Sequence, residues 1–562
     1  MRRHLLLGGL LPLLSHSLDL GAEWVSWPVG LCDVVPLAYG AWTTPAGAAA
    51  PTDAAGWPTS DAYAVLFDYV PSTYDPAGFI PNVWGTYAVT FTGSGTLTLY
   101  PGLGRVLNST FDPATFTSLA YVALEPADHT PGLVVGVFDS VRAPGASTNS
   151  GFSDLKVLQP GCALPSPALP PLTYSPSALA ALAPFHHTRV HEWHGTNSIP
   201  VTYPATVPWG ARRVLGDAFW SNGAPPRPLA VGAPWETSLL LAAAANVSLW
   251  VNVPVYADAG YVAALAELFA AGNASARVPA LAAPYLYVEH GNELWLNETN
   301  SPLNYAYNLN ASIAEVAAGG SPLNSDGANS PRVWASRRHV KRLREIALVF
   351  GAALRAHGSA VALRPVYAWM QDYSQEADAA LAWLEATYGA GEAARVFWGY
   401  AVNSYRGPGV YPSGSAPLPS FASAGEIAAA LAGAGAASVA PRAASARVAA
   451  RYGLAVASYE GSAWSEPDGR EFNSEGFNAT VGAVVAWSRG DGAAGEQAAD
   501  VLETWGAAVA GSGAALGAYN FYALSSAYGR DYGICFGLAE DITAPGNSSK
   551  YRGAMALLGR GL

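Results

Sequence analysis

Residues 248–293 read SLWVNVPVYADAGYVAALAELFAAGNASARVPALAAPYLYVEHGNE. SLWVNVP (248–254) and YLYVEHGNE (285–293) are short apolar runs rich in β-branched and aromatic residues, and YVAALAELFAA (261–271) between them has helical composition. Two buried strands joined by a helix read as one parallel β–α–β unit, because parallel strands need a crossover long enough to hold a helix. The same grammar repeats outward in both directions. HTRVHEW (187–193), ALRPVYAWM (362–370), VFWGYAVNSY (396–405), LAVASYEGS (454–462) and ALGAYNFYAL (515–524) read as further strands. WETSLLLAAAA (235–245), RRHVKRLREIALVFGAALRAH (337–357), SQEADAALAWLEATYG (374–389) and GEQAADVLETWGAAVAG (495–511) read as the helices among them. A closed (β/α)8 barrel needs one strand more, and LDLGAEWVS (18–26) supplies it from far upstream. An open α/β sheet is the alternative. It lacks support, since no glycine-rich nucleotide loop follows a strand and no G-x-S-x-G elbow occurs.

Between that first strand and the rest, the patterning is different. AYAVLFDYV (62–70), GTYAVTFTGSGTLTLY (85–100) and GLVVGVFDSV (132–141) are short strands broken by turns. The alternation in 87–91 and 96–100, split by Gly93-Ser94-Gly95, predicts a hairpin. The proline-rich PGCALPSPALPPLTYSP (160–176) closes the segment. The organisation expected is a β-sandwich of 27–160 inserted after the first strand of a barrel formed by 18–26 and 161–562. AAALAGAGAASVAPRAASARVAA (428–450) reads as a surface helix pair without a function.

Composition narrows the function. The 562 residues are 51% hydrophobic and only 12% charged, which supports a large core and excludes a disordered or coiled-coil chain. Net charge is −12 with no long Lys/Arg run, so neither nucleic acid nor an anionic membrane is an expected partner. Met1–Ser17, MRRHLLLGGLLPLLSHS, has the basic start, apolar stretch and small-residue exit of a signal peptide, so a secreted, cell-wall or extracellular protein is expected. No other run of 18 apolar residues suggests a membrane span. N-glycans are expected from sequons at Asn108, Asn246, Asn273, Asn297, Asn310, Asn478 and Asn547. Of the three cysteines, Cys32 and Cys162 flank the β-rich segment and are the preferred disulfide pair; three buried thiols, Cys535 included, is the alternative.

In a β/α barrel, catalytic groups stand at the C-terminal ends of strands. Two carboxylates do so: Glu293 after the fourth strand (Tyr287-Val288-Glu289-His290-Gly291-Asn292-Glu293) and Glu460 on the seventh (Val456-Ala457-Ser458-Tyr459-Glu460-Gly461). They can flank one glycosidic bond, one as acid and one as nucleophile, about 5–5.5 Å apart. Two carboxylates need no cofactor. Glu289, deeper on the same strand face as Glu293, reads as a buried paired charge. His186, His187, His191 and His194 invite a metal, but His191-Glu192-Trp193-His194 misses the H-E-x-x-H spacing, and on a strand His191 and His194 would face opposite ways. They read as hydrogen-bonded barrel or cleft histidines.

Asn292-Glu293 with Glu460 resembles the retaining glycoside hydrolases of the large (β/α)8 clan often called clan A. The resemblance implies Glu293 as acid/base and Glu460 as nucleophile, with Asn292 on the sugar 2-hydroxyl. It implies Tyr405 as a hydrogen-bond donor to the nucleophile and Arg189 as the cation keeping it ionised. HTRVHEWHGTNS (187–198), Trp209 and Arg212-Arg213 look similar to poorly characterised secreted proteins of this architecture, which also carry a β-domain after the first strand. Where many clan members present a tryptophan on the eighth strand, this chain has YNFY (519–522), so Tyr522, Phe521 or Trp464 would floor the sugar site. A secreted hydrolase of a β-linked polysaccharide or oligosaccharide follows as the expectation. The alternative is a non-catalytic carbohydrate-binding or cell-wall structural protein on the same scaffold.

Overall fold

The computed structural model describes residues 19–24, 30–68, 82–99, 104–125, 132–296, 302–405, 421–462, 475–528 and 535–559. Its strands are β1 (Asp19–Glu23), β2 (Tyr39–Thr43), β3 (Ala62–Asp68), β4 (Gly85–Thr92), β5 (Ser94–Leu99), β6 (Arg105–Asp112), β7 (Thr117–Leu124), β8 (Gly132–Val141), β9 (Ser153–Leu158), β10 (His187–Arg189), β11 (Ser248–Val253), β12 (Tyr285–His290), β13 (Ala362–Trp369), β14 (Gly399–Asn403), β15 (Ala455–Gly461) and β16 (Ala515–Phe521). β1 and β10 to β16 close into a barrel in that order, with every pair parallel. β1 completes the ring by pairing β10 through Gly21 and His187 and β16 through Asp19 and Ala518. The fold is the (β/α)8 barrel expected from the strand count.

The other eight strands form two four-stranded antiparallel sheets, β2-β3-β8-β5 and β6-β7-β4-β9. Phe67 of one sheet packs against Tyr87 of the other, their rings 6.3 Å apart. The predicted hairpin at Gly93-Ser94-Gly95 does not form. β4 belongs to one sheet and β5 to the other, so the chain switches sheets there. A single residue separates the two strands, too few to fold back. Gly93 and Gly95 take φ of +126° and +157°, and a Cβ on Gly95 would lie 2.7 Å from Val137. Where the chain leaves and re-enters the barrel it is tied together. Cys32 and Cys162 are disulfide-bonded, Leu31 bridges Tyr174, and Asp33 bridges Leu158.

Two other expectations change in detail. Residues 428–450 are not a helix pair but part of one helix, Ala424–Arg451, which carries Pro441 within it. It is long and apolar enough to cross a membrane by length and composition. Yet it lies against the barrel, with Arg442 fully buried on Asp500. β10 stops at Arg189, four residues earlier than the sequence suggests, and His191 and His194 lie in the turns beyond it.

The barrel interior is filled in layers. At its floor Asp19 meets His187 at 3.1 Å, Arg364 at 3.2 Å and the Tyr287 hydroxyl. His187 is fully buried, with ring centroids 5.2 Å from Tyr287 and 5.9 Å from Trp250. It occupies the space that a side chain on Gly21 would need, since a Cβ there would lie 2.2 Å from His187 Nε2. Gly21→Ala is therefore expected to overpack the floor and cost about 1–3 kcal/mol or more. A chemical-denaturation midpoint equal to wild type would contradict this.

Candidate functional site

The strand ends converge on one guanidinium. Arg189, the last residue of β10, is fully buried and reaches out with all its nitrogens. Nη1 donates to Glu460 Oε1 at 2.5 Å. Nη2 donates to Asn292 Oδ1 at 2.7 Å and to Glu289 Oε2 at 3.1 Å. Glu289 also accepts from Trp250 Nε1 at 2.9 Å, so it is held as a buried ion pair. The second oxygen of Glu460, Oε2, accepts from the Tyr405 hydroxyl at 2.9 Å. Both donors that the sequence nominated for Glu460 thus meet it.

Glu460 and its neighbour Tyr459 both serve the site, against the alternation of a regular strand. β15 shifts register against β14 near Asn403 and against β16 between Ser458 and Gly461. Such an irregularity re-aims side chains. Tyr459 donates from its hydroxyl to Glu293 Oε1 at 3.1 Å. Glu293 lies three residues beyond the end of β12, in a left-handed conformation with φ of 50°. It is half-buried, whereas Glu460 is buried. Burial, and then the charge of Glu460, push the Glu293 carboxyl up to about 8. Asn292 is fixed between Arg189 and Asn197, donating to the latter's Oδ1 at 3.2 Å, and Asn304 donates to the same oxygen at 3.0 Å.

Beyond β16, Tyr522 stands at the rim. Its ring lies 5.9 Å from His191, 6.3 Å from Tyr405 and 5.2 Å from Phe536, and its hydroxyl bonds the exposed Glu192. Phe521 instead points outward, against Phe185 and Tyr519 in the main core. Trp464 and Asn297 lie outside the described residues. Among the described residues no cluster of three or more His, Cys, Asp and Glu could hold a metal ion. His194 is instead bonded to Ala233 O and Ser238.

Glu23 escaped the sequence reading. Glu23 ends β1 and is fully buried, and His191 joins it at 2.8 Å. The rule that picked out Glu293 and Glu460, a carboxylate at a strand end, also fits Glu23 in LDLGAEWVS.

The buried carboxyls set a pH dependence of stability. Burial pushes Glu23 and Glu289 up to about 7, against the pull of Arg189, and Glu293 up to about 8. These groups hold protons in the folded state that the unfolded chain has already lost, so stability falls as pH rises through their folded values. Below about pH 6.5 the buried histidines His191, His194, His290 and His339, all lowered by burial, work the other way, because the unfolded chain then binds the extra protons. Above it they are neutral in both states. Lys550, lowered to about 8, opposes the trend only at the top of the window. The melting temperature is therefore expected to fall between about pH 6.5 and 8; calorimetry showing a rise there would refute this account of the site.

The sequence matches no protein-family model and no curated protein. Among solved structures, the chain is similar to an arabinofuranosidase from Xanthomonas axonopodis pv. citri, with 12% identity over 63% of this chain and 61% of that one and a TM-score of 0.34. It is also similar to fungal β-1,4-galactanases, with 13% identity over 62% and 81% and a TM-score of 0.29. A third is a β-glucosidase from Thermotoga maritima in complex with deoxynojirimycin, with 10% identity over 68% and 86% and a TM-score of 0.29. The chain spans about three fifths of the arabinofuranosidase chain.

Proposed function

We propose that this protein is a retaining glycoside hydrolase that cleaves a β-linked polysaccharide or oligosaccharide. One observation carries the reading. Glu460 receives two donors, Arg189 and Tyr405, at 2.5 and 2.9 Å, while burial and that same charge push Glu293 up to about 8. Two identical side chains thereby sit in different environments, one holding its proton and the other accepting two donors, the condition for one to attack while the other donates a proton. In the first step the Glu460 carboxylate bonds to the anomeric carbon, the glycosidic C–O bond breaks, and Glu293 gives its proton to the leaving oxygen. In the second, Glu293 takes a proton from water, the water oxygen bonds to the anomeric carbon, and Glu460 leaves. Asn292 has one amide hydrogen beyond its bond to Asn197 with which to meet a sugar hydroxyl. Tyr522 supplies the aromatic wall.

The same reading takes residues 1–17 as a signal peptide and 27–160 as a domain inserted into the barrel of 18–26 and 161–562. It places the protein outside the cell or in its wall, where the Cys32–Cys162 bond persists. Asn108, Asn246, Asn310 and Asn547 are exposed and Asn273 is half-buried, so these five sequons are open to glycosylation.

The test is a panel of β-linked polysaccharides with reducing-sugar detection, followed by trapping with a 2-deoxy-2-fluoro-β-glycoside of the sugar released. Intact mass should rise by one glycosyl unit, and peptide mapping should place it on Glu460. Sugar release with anomeric inversion, or a label on another residue, would defeat the double-displacement reading.

A further inference from the structure

The mechanism leaves two buried groups behind Glu460 without a part. Glu23 comes from the end of β1 and His191 from the turn after β10. His191 Nδ1 lies 2.8 Å from Glu23 Oε1 and 3.0 Å from Arg189 Nη1, while its Nε2 lies 3.7 Å from Glu460 Oε1. A guanidinium only donates. Its contact makes Nδ1 an acceptor and puts the ring hydrogen on Nε2. A charged Glu23 oxygen at 2.8 Å from that same nitrogen would then set acceptor against acceptor, whereas a protonated Glu23 places a hydrogen between them and shares the one Nδ1 lone pair with the guanidinium. The other Glu23 oxygen supports this. Oε2 is buried, lies 3.6 Å from Arg189 Nη1, and has no partner at hydrogen-bond distance among the described residues. That environment suits a neutral carbonyl oxygen better than half of a charge.

We infer that Glu23 and His191 form a two-position proton switch behind Glu460, acting as positioning residues. With Glu23 protonated, His191 turns its Nε2–H towards Glu460. With Glu23 ionised, His191 carries its hydrogen on Nδ1, donates it to Glu23 in place of accepting from Arg189, and turns a lone pair towards Glu460. The exchange balances. Glu23 passes its O–H proton to Nδ1, Nε2 releases its proton to solvent, and one negative charge remains on Glu23.

The groups facing the pair come from every side. Arg189 and Glu192 lie on its own segment, Glu460 on β15, and Tyr522 after β16, with Glu289 beyond Arg189. The backbone N–H of Glu192 also donates to Glu23 Oε1, at 3.3 Å. Burial holds His191 down to about 4, so the ring changes tautomer, not charge, while Glu23 titrates near 7. An N–H aimed at Glu460 supports its charge as it leaves in the second step, and a lone pair opposes it. That consequence rests on the proposed role of Glu460; the switch itself does not.

The test is nitrogen-15 NMR of the free protein carrying labelled histidine, with His191 assigned through His191→Gln. The Nε2–H tautomer is expected at about pH 5.5, converting to Nδ1–H with a midpoint near pH 7. In Glu23→Gln, which cannot ionise, the conversion is expected to vanish. One tautomer throughout in the wild type, an imidazolium at about pH 5.5, or the same transition in Glu23→Gln would each overturn the switch. Because no substrate is present, a protein that hydrolyses none of the tested glycosides would still show the tautomer exchange, so the two readings fail separately.

Discussion

Glu460→Ala should abolish turnover, by roughly 10⁴-fold or more, the scale on which enzymes suffer when a nucleophile is removed. Alanine leaves the space of a carboxylate beside Arg189 and Tyr405, both still aimed at it. Azide is small and anionic enough to enter that space and attack the anomeric carbon from the same side. Added azide should restore cleavage and yield a glycosyl azide of inverted configuration, since only one displacement then occurs. Glu293→Ala should behave differently. Substrates whose leaving groups need no protonation should still glycosylate Glu460, and azide should intercept that intermediate with overall retention. Near-normal activity of both variants, on any substrate the wild type cleaves, would end the two-glutamate mechanism.

Arg189→Met is the second large effect, and it falls on stability as much as on rate. Methionine fills much of the volume, so packing survives while the charge disappears. Glu289, Glu460 and Glu23 lie 3.1, 2.5 and 3.6 Å from this guanidinium in the native protein. Removing one partner of a buried ion pair costs about 3–5 kcal/mol, because the other charge is left uncompensated in a dry interior. Glu289 and Glu23 can relieve this by taking up protons, which raises their folded values further above those of the unfolded chain. Such groups destabilise increasingly with rising pH. The deficit relative to wild type should therefore be smallest near about pH 5 and grow towards about pH 8, read as two series of denaturant midpoints. Arg189→Lys should not rescue it, because one ammonium cannot span the fork that joins Glu460 to Glu289 and Asn292. A constant deficit across that range would mean that packing, not charge, is what Arg189 supplies.

Much of the barrel was legible because its strands are buried on both faces and therefore read as continuous apolar runs. The helix 235–245 coincides with the observed Trp235–Ala245 for a related reason, bounded as it is by Pro234 before and Asn246, in a left-handed conformation, after. What escaped depends on the third dimension. β4 and β5 alternate as a hairpin would, and only the sheets around them decide that the chain crosses at Gly93 instead. Tyr459 and Glu460 are adjacent, so strict alternation would send one of them out of the site; the register shift in β15 brings both in. Glu23 sits at a strand end as Glu293 and Glu460 nearly do, but nothing local connects it with His191, which meets it across the seam between β1 and β10. Asn197 is legible only as a polar loop residue until Asn292 and Asn304 are seen to share its oxygen.

The strand that closes the barrel precedes every other described strand, and that places a constraint on biosynthesis. β1 can pair with β10 only after the whole two-sheet segment has been made, and with β16 only once Ala515–Phe521 has been made. The antiparallel sheets have no such wait, because every strand in them lies between Tyr39 and Leu158. Contacts distant in sequence form late and slowly, and domains emerging N-terminal first tend to fold as units. The sheets should accordingly mature first, while β1 remains a strand with both edges open. Throughout synthesis that strand needs shielding from other chains, and the contact of Arg189 with Glu460 must wait for β15.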